Sequence, residues 1–369
     1  MLIIGGGIAG ILCAHFLHGA GVDYVLTEAE TICSGTTKNT TAKITSQHGL
    51  IYDRLIRQFG AKKAADYLMA NQAALEKYRQ LCKNVDCDFE IKSNAVYSLN
   101  DKKKIERELS ALKALGFNAQ YDDNPPLPFK TAGAVVFENQ AQFNPLRFLA
   151  SVSEKLNIFE HTQVVKISNN TAFTSGGTVS AKKIIVATHF PFINRHGSYF
   201  LKMYQHRSYV IAYSGAENIG GMYVDEAKGG MSLRNYKNLL LIGGGGHRTG
   251  MQGGSYKEIE SFAKLHYPEA TEKYRWAAQD CMTLDGAPYI GNYSALTPNM
   301  YAATGFNKWG MTSSMLAAQI LADLVCGRKN RYADVFSPSR TILRTQTAVN
   351  FAHAVSGLVG ISEKRCPHM

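Results

Sequence analysis

The chain begins Met1-Leu2-Ile3-Ile4 and runs straight into Gly5-Gly6-Gly7-Ile8-Ala9-Gly10. No other stretch constrains the fold as tightly. A short β-rich run is followed by glycines at 5, 7 and 10, then by the helical stretch ILCAHFLHGAG ending at Gly21. The strand Tyr24-Val25-Leu26-Thr27 comes next and stops at Glu28. Strand, glycine turn, helix, strand and acid fit within about 30 residues, the length of one βαβ unit. Gly5 permits the tight turn, Gly7 lets a diphosphate approach the backbone, and Gly10 lets the helix pack on the sheet. The helix N-terminus offers unpaired N–H groups and a partial positive charge to phosphates. Glu28 lies 18 residues after Gly10, where a carboxylate can accept hydrogen bonds from ribose hydroxyls. These parts together predict a dinucleotide site. Its place at the extreme N-terminus favours FAD over NAD, because the flavin must then cross later segments. Strand one begins at Met1 itself, shorter than such strands run, so a longer natural chain is expected to have a few residues before it.

At 369 residues the chain suits two domains, at roughly 100–200 residues each. The formal charge of +11 is a moderate excess. Its one dense run, Lys102-Lys103-Lys104, sits among Asp101, Glu106 and Glu108 and reads as the solvated face of an amphipathic helix. With no basic stripe interleaved with aromatics, nucleic acid is not an expected partner. The basic balance suits an anionic cofactor or an acidic electron-transfer partner. Seven scattered cysteines, none in a CxxC pair, imply free thiols in a reducing compartment, hence a cytoplasmic location. No apolar run reaches the roughly 18 residues of a spanning helix, and the apolar start lacks the basic flank of a signal peptide.

Further along, 52–82 and 101–115 read as helices, and 89–99 and 133–137 as strands. Asn144 caps a helix with Pro145 at its first position. Strands are expected at 163–167, 183–188, 207–213 and 238–243. The segment 285–291 reads as a turn and strand, and 300–306 as a strand entering a glycine turn. A long helix then runs to about Cys326, so a second helix N-terminus is offered to the flavin side of the cofactor. Gly243 to Gly246 lack a following Lys-Ser/Thr, so they do not form a P-loop. The loop 35–43, rich in threonine, can reach the diphosphate and ribityl chain. His48, His189, His206 and His247 read first as core or loop histidines, with His189 and His247 placed to lie near a ligand.

Taken together, GGGIAG with Glu28, the TTAK loop at 40–43, IIVAT at 184–188, DGAPYIG at 285–291 and ATGFNKWGMTSS at 303–314 resemble the glycine/D-amino-acid oxidase family of flavoproteins. The resemblance spans residues 1 to about 330. It implies a mixed α/β fold: a Rossmann-like FAD-binding domain assembled from 1–80, 140–200 and 285–330, and a mixed-sheet substrate domain from 81–139 and 201–284. A helical tail would occupy 331–369. The implied cofactor residues are Gly5, Gly7, Ile8, Ala9, Gly10, Glu28 and Ala29 at the first unit, and Gly35, Thr36, Thr37, Thr41 and Ala42 in the early loop. Val165, Ala187 and Thr188 follow, then Gly305, Phe306, Asn307, Trp309, Gly310 and Met311. The implied reaction oxidises a carbon–nitrogen bond by hydride transfer to flavin N5, with hydrolysis of the imine, and the flavin carries the hard step.

Departures from the family sharpen the expectation. Where relatives attach flavin through Cys or His, this chain has Ala278 and Asn39, so FAD should be bound non-covalently. Two cationic anchors of the sarcosine type are replaced by Ser46 and Thr312. Where amino-acid oxidisers place an Arg, the sequence reads Trp276-Ala277-Ala278-Gln279-Asp280, which favours an amine over a simple amino acid unless Asp280 merely caps a surface turn. The catalytic candidates are Lys43, Arg234 and Asp280, with Arg207 and Arg248 as further carboxylate anchors.

The chain stops at Cys366-Pro367-His368-Met369. Cys-x-His is half of a Rieske ligand set, which needs two Cys and two His. Some relatives carry such a C-terminal segment, and this chain looks like one cut inside its first motif. As given it should bind no metal or iron–sulfur cluster. The electron acceptor would be oxygen, a quinone or an iron–sulfur protein. The competing readings are a flavin dehydrogenase feeding an iron–sulfur or quinone acceptor, a flavin-binding redox or tRNA-modification subunit without amine turnover, and a nucleotide-binding assembly protein.

Overall fold

A computed structural model of the protein describes residues 1–193 and 196–340. The opening strand is Leu2–Ile4, and all three of its side chains are buried. It pairs in parallel with Val25–Thr27 on one side and Ile184–Val186 on the other. Ile184–Val186 in turn pairs in parallel with Met300–Thr304, and Tyr289–Asn292 closes that edge antiparallel. With Ile158–Phe159 at the far edge this makes a six-stranded sheet. Parallel strands buried on both faces read as continuous apolar runs, which is why these strands stand out in the sequence. Helix Ile8–Gly19 packs against helix Gly310–Val325, which also packs against helix Ala61–Cys82.

The second large sheet has nine strands and is mixed. Along it lie Thr271–Thr283, Met203–Ser214, Leu239–Arg248, Ser232–Tyr236, Met222–Asp225, Glu90–Ser98, Gly133–Gln142 and Lys43–Ile44. Gln120–Asp122 pairs beside Gly133–Gln142. Met222–Asp225 runs parallel to Glu90–Ser98, and the other pairs are antiparallel. A small three-stranded sheet is built from residues 164–180.

Several local expectations change. The helix read over 52–82 is two helices, Tyr52–Phe59 and Ala61–Cys82, broken at Gly60, whose φ of +81° suits glycine. Asn144 accepts from the N–H groups of Leu146 and Arg147, ahead of Pro145. Glu108 is not on a solvated face. It is buried and accepts the Tyr52 and Asp53 N–H groups at 2.8 and 3.0 Å, capping a neighbouring helix. The strand Thr271–Thr283 and the helix Tyr256–His266 were not legible as such. Within 331–340 the tail has one short helix, Ala333–Phe336. The rest of the expected helical tail, with Cys366 and His368, lies outside the described residues. Among the described residues no helix is long and apolar enough to cross a membrane.

Candidate active site

The glycine turn is built as close backbone packing. Gly5 has φ +108°, and a Cβ there would lie 2.6 Å from the Ala187 carbonyl oxygen. A Cβ on Gly10 would lie 1.9 Å from the Gly5 carbonyl oxygen. Helix Ile8–Gly19 has Gly7 as N-cap and no side-chain cap bond, with Ile8 N–H donating to Thr37 Oγ1 at 3.1 Å. The helix start is therefore left open to an anion. Glu28 is pinned by the N–H groups of Gly6 (2.6 Å to Oε2) and Glu30 (3.0 Å to Oε1). A carboxylate has about four acceptor positions, so it keeps capacity for ribose hydroxyls.

One cavity of about 1660 Å³ starts at this turn and continues to the start of helix Gly310–Val325. That helix also begins without a side-chain cap and with no acid in its first turn. Gly305 (φ +69°) and Asn307 (φ +54°) shape the approach. Asn307 Oδ1 accepts the Thr283 N–H at 2.9 Å, and its Nδ2 donates to Gly286 O at 3.1 Å. Trp309 stacks on His48 with ring centres 5.1 Å apart and planes 13° from parallel. His48 is locked in place: Nδ1 accepts from Tyr67 Oη at 2.6 Å, while Nε2 donates to Thr45 O at 2.9 Å. Burial lowers its pKa to about 3, so the ring is neutral.

Nineteen of the 21 residues expected to hold cofactor line this cavity. In the first half these are Gly5, Gly7, Ile8, Ala9, Glu28, Ala29, Gly35, Thr36, Thr37 and Thr41. In the second they are Val165, Ala187, Thr188, Gly305, Phe306, Asn307, Trp309, Gly310 and Met311. Gly10 and Ala42 do not line it. Gly10 serves helix–strand packing, and Ala42 is buried with φ +49°, its N–H donating to Thr40 Oγ1. A glycine cradle, two open helix starts and a fixed acid in one cavity fit FAD.

The nine-stranded sheet forms the other wall. Residues paired across antiparallel strands point to the same side. Arg248, His206 and Asp280 make one such row, and the pairs Ser208–Ala278 and Tyr204–Met282 flank it. All seven line the cavity. Asp280 is thus in mid-strand, not on a surface turn, and the strand is polar because one of its faces lines the cavity. Burial raises its pKa to about 6. Lys308, from the turn between strand Met300–Thr304 and helix Gly310–Val325, also lines the cavity; its side chain is exposed there, and the surrounding walls lower its pKa by partial desolvation. Asp280 and Lys308 influence each other electrostatically, yet neither side chain has a hydrogen bond or ion pair among the described residues. Sequence reasoning missed Lys308, although it stands inside the ATGFNKWGMTSS segment.

Lys43 lines the cavity and donates to Thr41 Oγ1 at 3.0 Å. Burial, with the charges of Arg234 and Lys308, lowers its pKa to about 7. Arg234 and Arg207 do not line the cavity. Arg234 is buried beside Tyr236, and burial lowers its pKa to about 10. Ser46 and Thr312 are also off the cavity, Ser46 accepting from Gln72 and Thr312 donating to Thr45 O. All four histidines of the sequence reading line it. His206 Nδ1, Ser208 Oγ, His247 Nδ1 and His189 Nε2 are buried polar atoms without a partner among the described residues. Buried polar groups are ordinarily satisfied, so His206 and Ser208, neighbours on one face of their strand, are placed to meet a polar ligand.

A βαβ nucleotide unit facing a mixed sheet across one long cavity defines a flavin-dependent oxidoreductase of two-sheet architecture. The chain belongs to the DAO family of FAD dependent oxidoreductases, whose family model matches residues 1–324. YhfW of Bacillus subtilis (strain 168), whose name carries a Rieske 2Fe-2S iron-sulfur designation, is 37% identical over 360 residues, covering 92% of this chain and 70% of its own length. Among solved structures, glycine oxidase from Geobacillus kaustophilus matches with TM-score 0.75 at 20% identity, over 93% of this chain and 98% of its own. L-proline dehydrogenase from P. horikoshii matches with TM-score 0.76 at 17% identity, over 92% and 96%. These two share the fold with this chain.

Proposed function

We propose that this enzyme oxidises the carbon–nitrogen bond of a small amino acid, or of an amine that also carries an anionic group. One observation carries the reading: Asp280 and Lys308, opposite in charge and without partners of their own, line the same end of the cavity. An ammonium group is attracted to the first and a carboxylate to the second. Lys308 supplies the counter-charge missing at the position of Asp280, so the balance moves from a simple amine towards a dipolar substrate. The names of glycine oxidase and L-proline dehydrogenase, both amino-acid enzymes, support this class. Bound flavin supplies the hydride acceptor. The chain's own residues hold the substrate and exclude water from it.

FAD is held non-covalently in this reading. Asn39 and Ala278 line the cavity, and neither side chain is a nucleophile that could link to flavin. The FAD-binding unit comprises 1–80, 140–200 and 285–330, and the substrate unit 81–139 and 201–284. Lys43–Ile44 and the end of strand Gly133–Gln142 carry the first unit into the second unit's sheet. A second reading, favoured by the Rieske designation of YhfW, passes the electrons to an iron–sulfur acceptor in place of oxygen. An anaerobic screen tests the main reading: amino acids and anionic amines should bleach the yellow protein. If none does while dithionite does, the reading fails. Slow recovery of the colour in air would favour the second.

A further inference from the structure

At neutral pH a substrate amine arrives as ammonium. It then has no lone pair on nitrogen with which to expel hydride from the adjacent carbon. One proton must leave first, and a protein group beside the nitrogen can take it.

The cavity offers few acceptors. Its acids are Glu28 and Glu30 at the nucleotide end, Asp225 and Glu226 at the end of strand Met222–Asp225, and Asp280. Only Asp280 stands beside Lys308 and the Trp309 turn. Its carboxylate has no partner among the described residues. The groups facing it are His206 and Arg248 in its own row of the sheet and Lys308 from the turn opposite; the Cys281 thiol, next along the strand on its other face, is kept protonated by burial. His206 is the weaker base, because burial and Lys308 lower its pKa to about 4. Lys43 lies against the charges of Arg234 and Lys308, a field that repels an incoming ammonium.

We propose that the Asp280 carboxylate takes the proton of the substrate ammonium before the carbon–hydrogen bond breaks, an inference that rests on the amine reading above. The ammonium N–H bond breaks and an O–H bond forms on Asp280, leaving a neutral amine and a carboxylic acid. The nitrogen lone pair then forms the C=N bond as hydride departs from carbon to the oxidant, the bound flavin. Water hydrolyses the iminium, and Asp280 returns its proton to solvent. Burial, which raises the carboxyl pKa to about 6, makes it a better base than an exposed aspartate.

The test compares Asp280→Asn with Lys43→Met as holoenzymes. Rapid-mixing flavin reduction is followed across pH with a substrate that bleaches the parent enzyme. At pH 7 Asp280→Asn should be slower by about 100-fold or more. It should then recover by about tenfold per pH unit up to the amine's own pKa, because solution then does the deprotonation. A second readout needs no turnover. Difference infrared spectroscopy follows the binding of an amine lacking an α-hydrogen. The parent should gain a protonated-carboxyl band that Asp280→Asn lacks. A loss equal at every pH, an unchanged rate, or no carboxyl band in the parent each overturns the proposal. So does the pH-rescued pattern in Lys43→Met in place of Asp280→Asn. Failure of the amine reading is a different result: no amine bleaches the parent enzyme.

Discussion

Arg340 closes on Asp285 through two hydrogen bonds, Nε to Oδ2 at 2.7 Å and Nη2 to Oδ1 at 3.0 Å. Both side chains are buried, and the guanidinium lies 3.9 Å from the centre of the Tyr289 ring while donating to Pro288 O at 2.8 Å. The pair fixes the Asp285–Gly286 turn whose next strand edges the nucleotide sheet. Arg340→Met strands a buried carboxylate and should cost about 3–5 kcal/mol. The urea midpoint should fall at unchanged slope, and Asp285→Asn added to it should recover part of the loss.

Two glycines of one helix give an internal comparison. Gly10→Ala places a methyl 1.9 Å from Gly5 O, so strand and helix must part. The variant should purify with little or no flavin absorbance. At Gly19 an added Cβ meets nothing within 4 Å, and alanine is the better helix former by up to about 1 kcal/mol. Gly19→Ala should keep its flavin and melt no lower than the parent.

Asp280 should cost stability in the ligand-free protein. Its folded pKa, about 6, is raised from 3.8, so the folded state binds the proton more tightly than the unfolded chain. That contribution is fully present below about pH 4 and is lost as pH rises through 6. Asp280→Asn should therefore be the more stable protein above pH 6, by about 2–3 kcal/mol, with the advantage shrinking towards pH 4. Denaturation curves of the apoprotein at several pH values decide this.

His48 works in the opposite direction. Its folded pKa is lowered to about 3 from 6.5, so the unfolded chain takes up the proton first. Stability from this site is present above pH 6.5 and falls as pH drops towards 3, by up to about 4 kcal/mol. His48→Asn should start less stable at pH 8 and lose less on acidification. A parallel acid limb in the two proteins would contradict the assignment.

The nucleotide end was legible because its parts are contiguous and local. Glycine spacing, buried strand and acid all fall between Met1 and Glu28. The opposite wall was legible in part: strands were read at 207–213 and 238–243, but Thr271–Thr283 was not, because its polar cavity face hides the alternation that marks a half-buried strand. Asp280 was therefore a candidate without a strand to carry it, and a surface turn stayed open as the alternative. Lys308 was overlooked for a related reason: amid Gly305, Trp309 and Gly310 its segment reads as backbone chemistry, and the side chain facing the cavity goes unseen. Glu108 misled because a charged residue on a periodic helix is ordinarily solvated, and only the tertiary fold brings the start of helix Tyr52–Phe59 to it.

The order of strands in the six-stranded sheet has a consequence for how the enzyme is made. Leu2–Ile4 is synthesised well before its neighbour Ile184–Val186, and the next strand, Met300–Thr304, comes later still. Until then one edge of an apolar strand has no permanent partner, the condition in which nascent chains aggregate. The sheet that carries the glycine fingerprint is therefore completed only when residues 300–304 have been made. A ribosome stalled before residue 300 would carry a chain unable to retain its flavin.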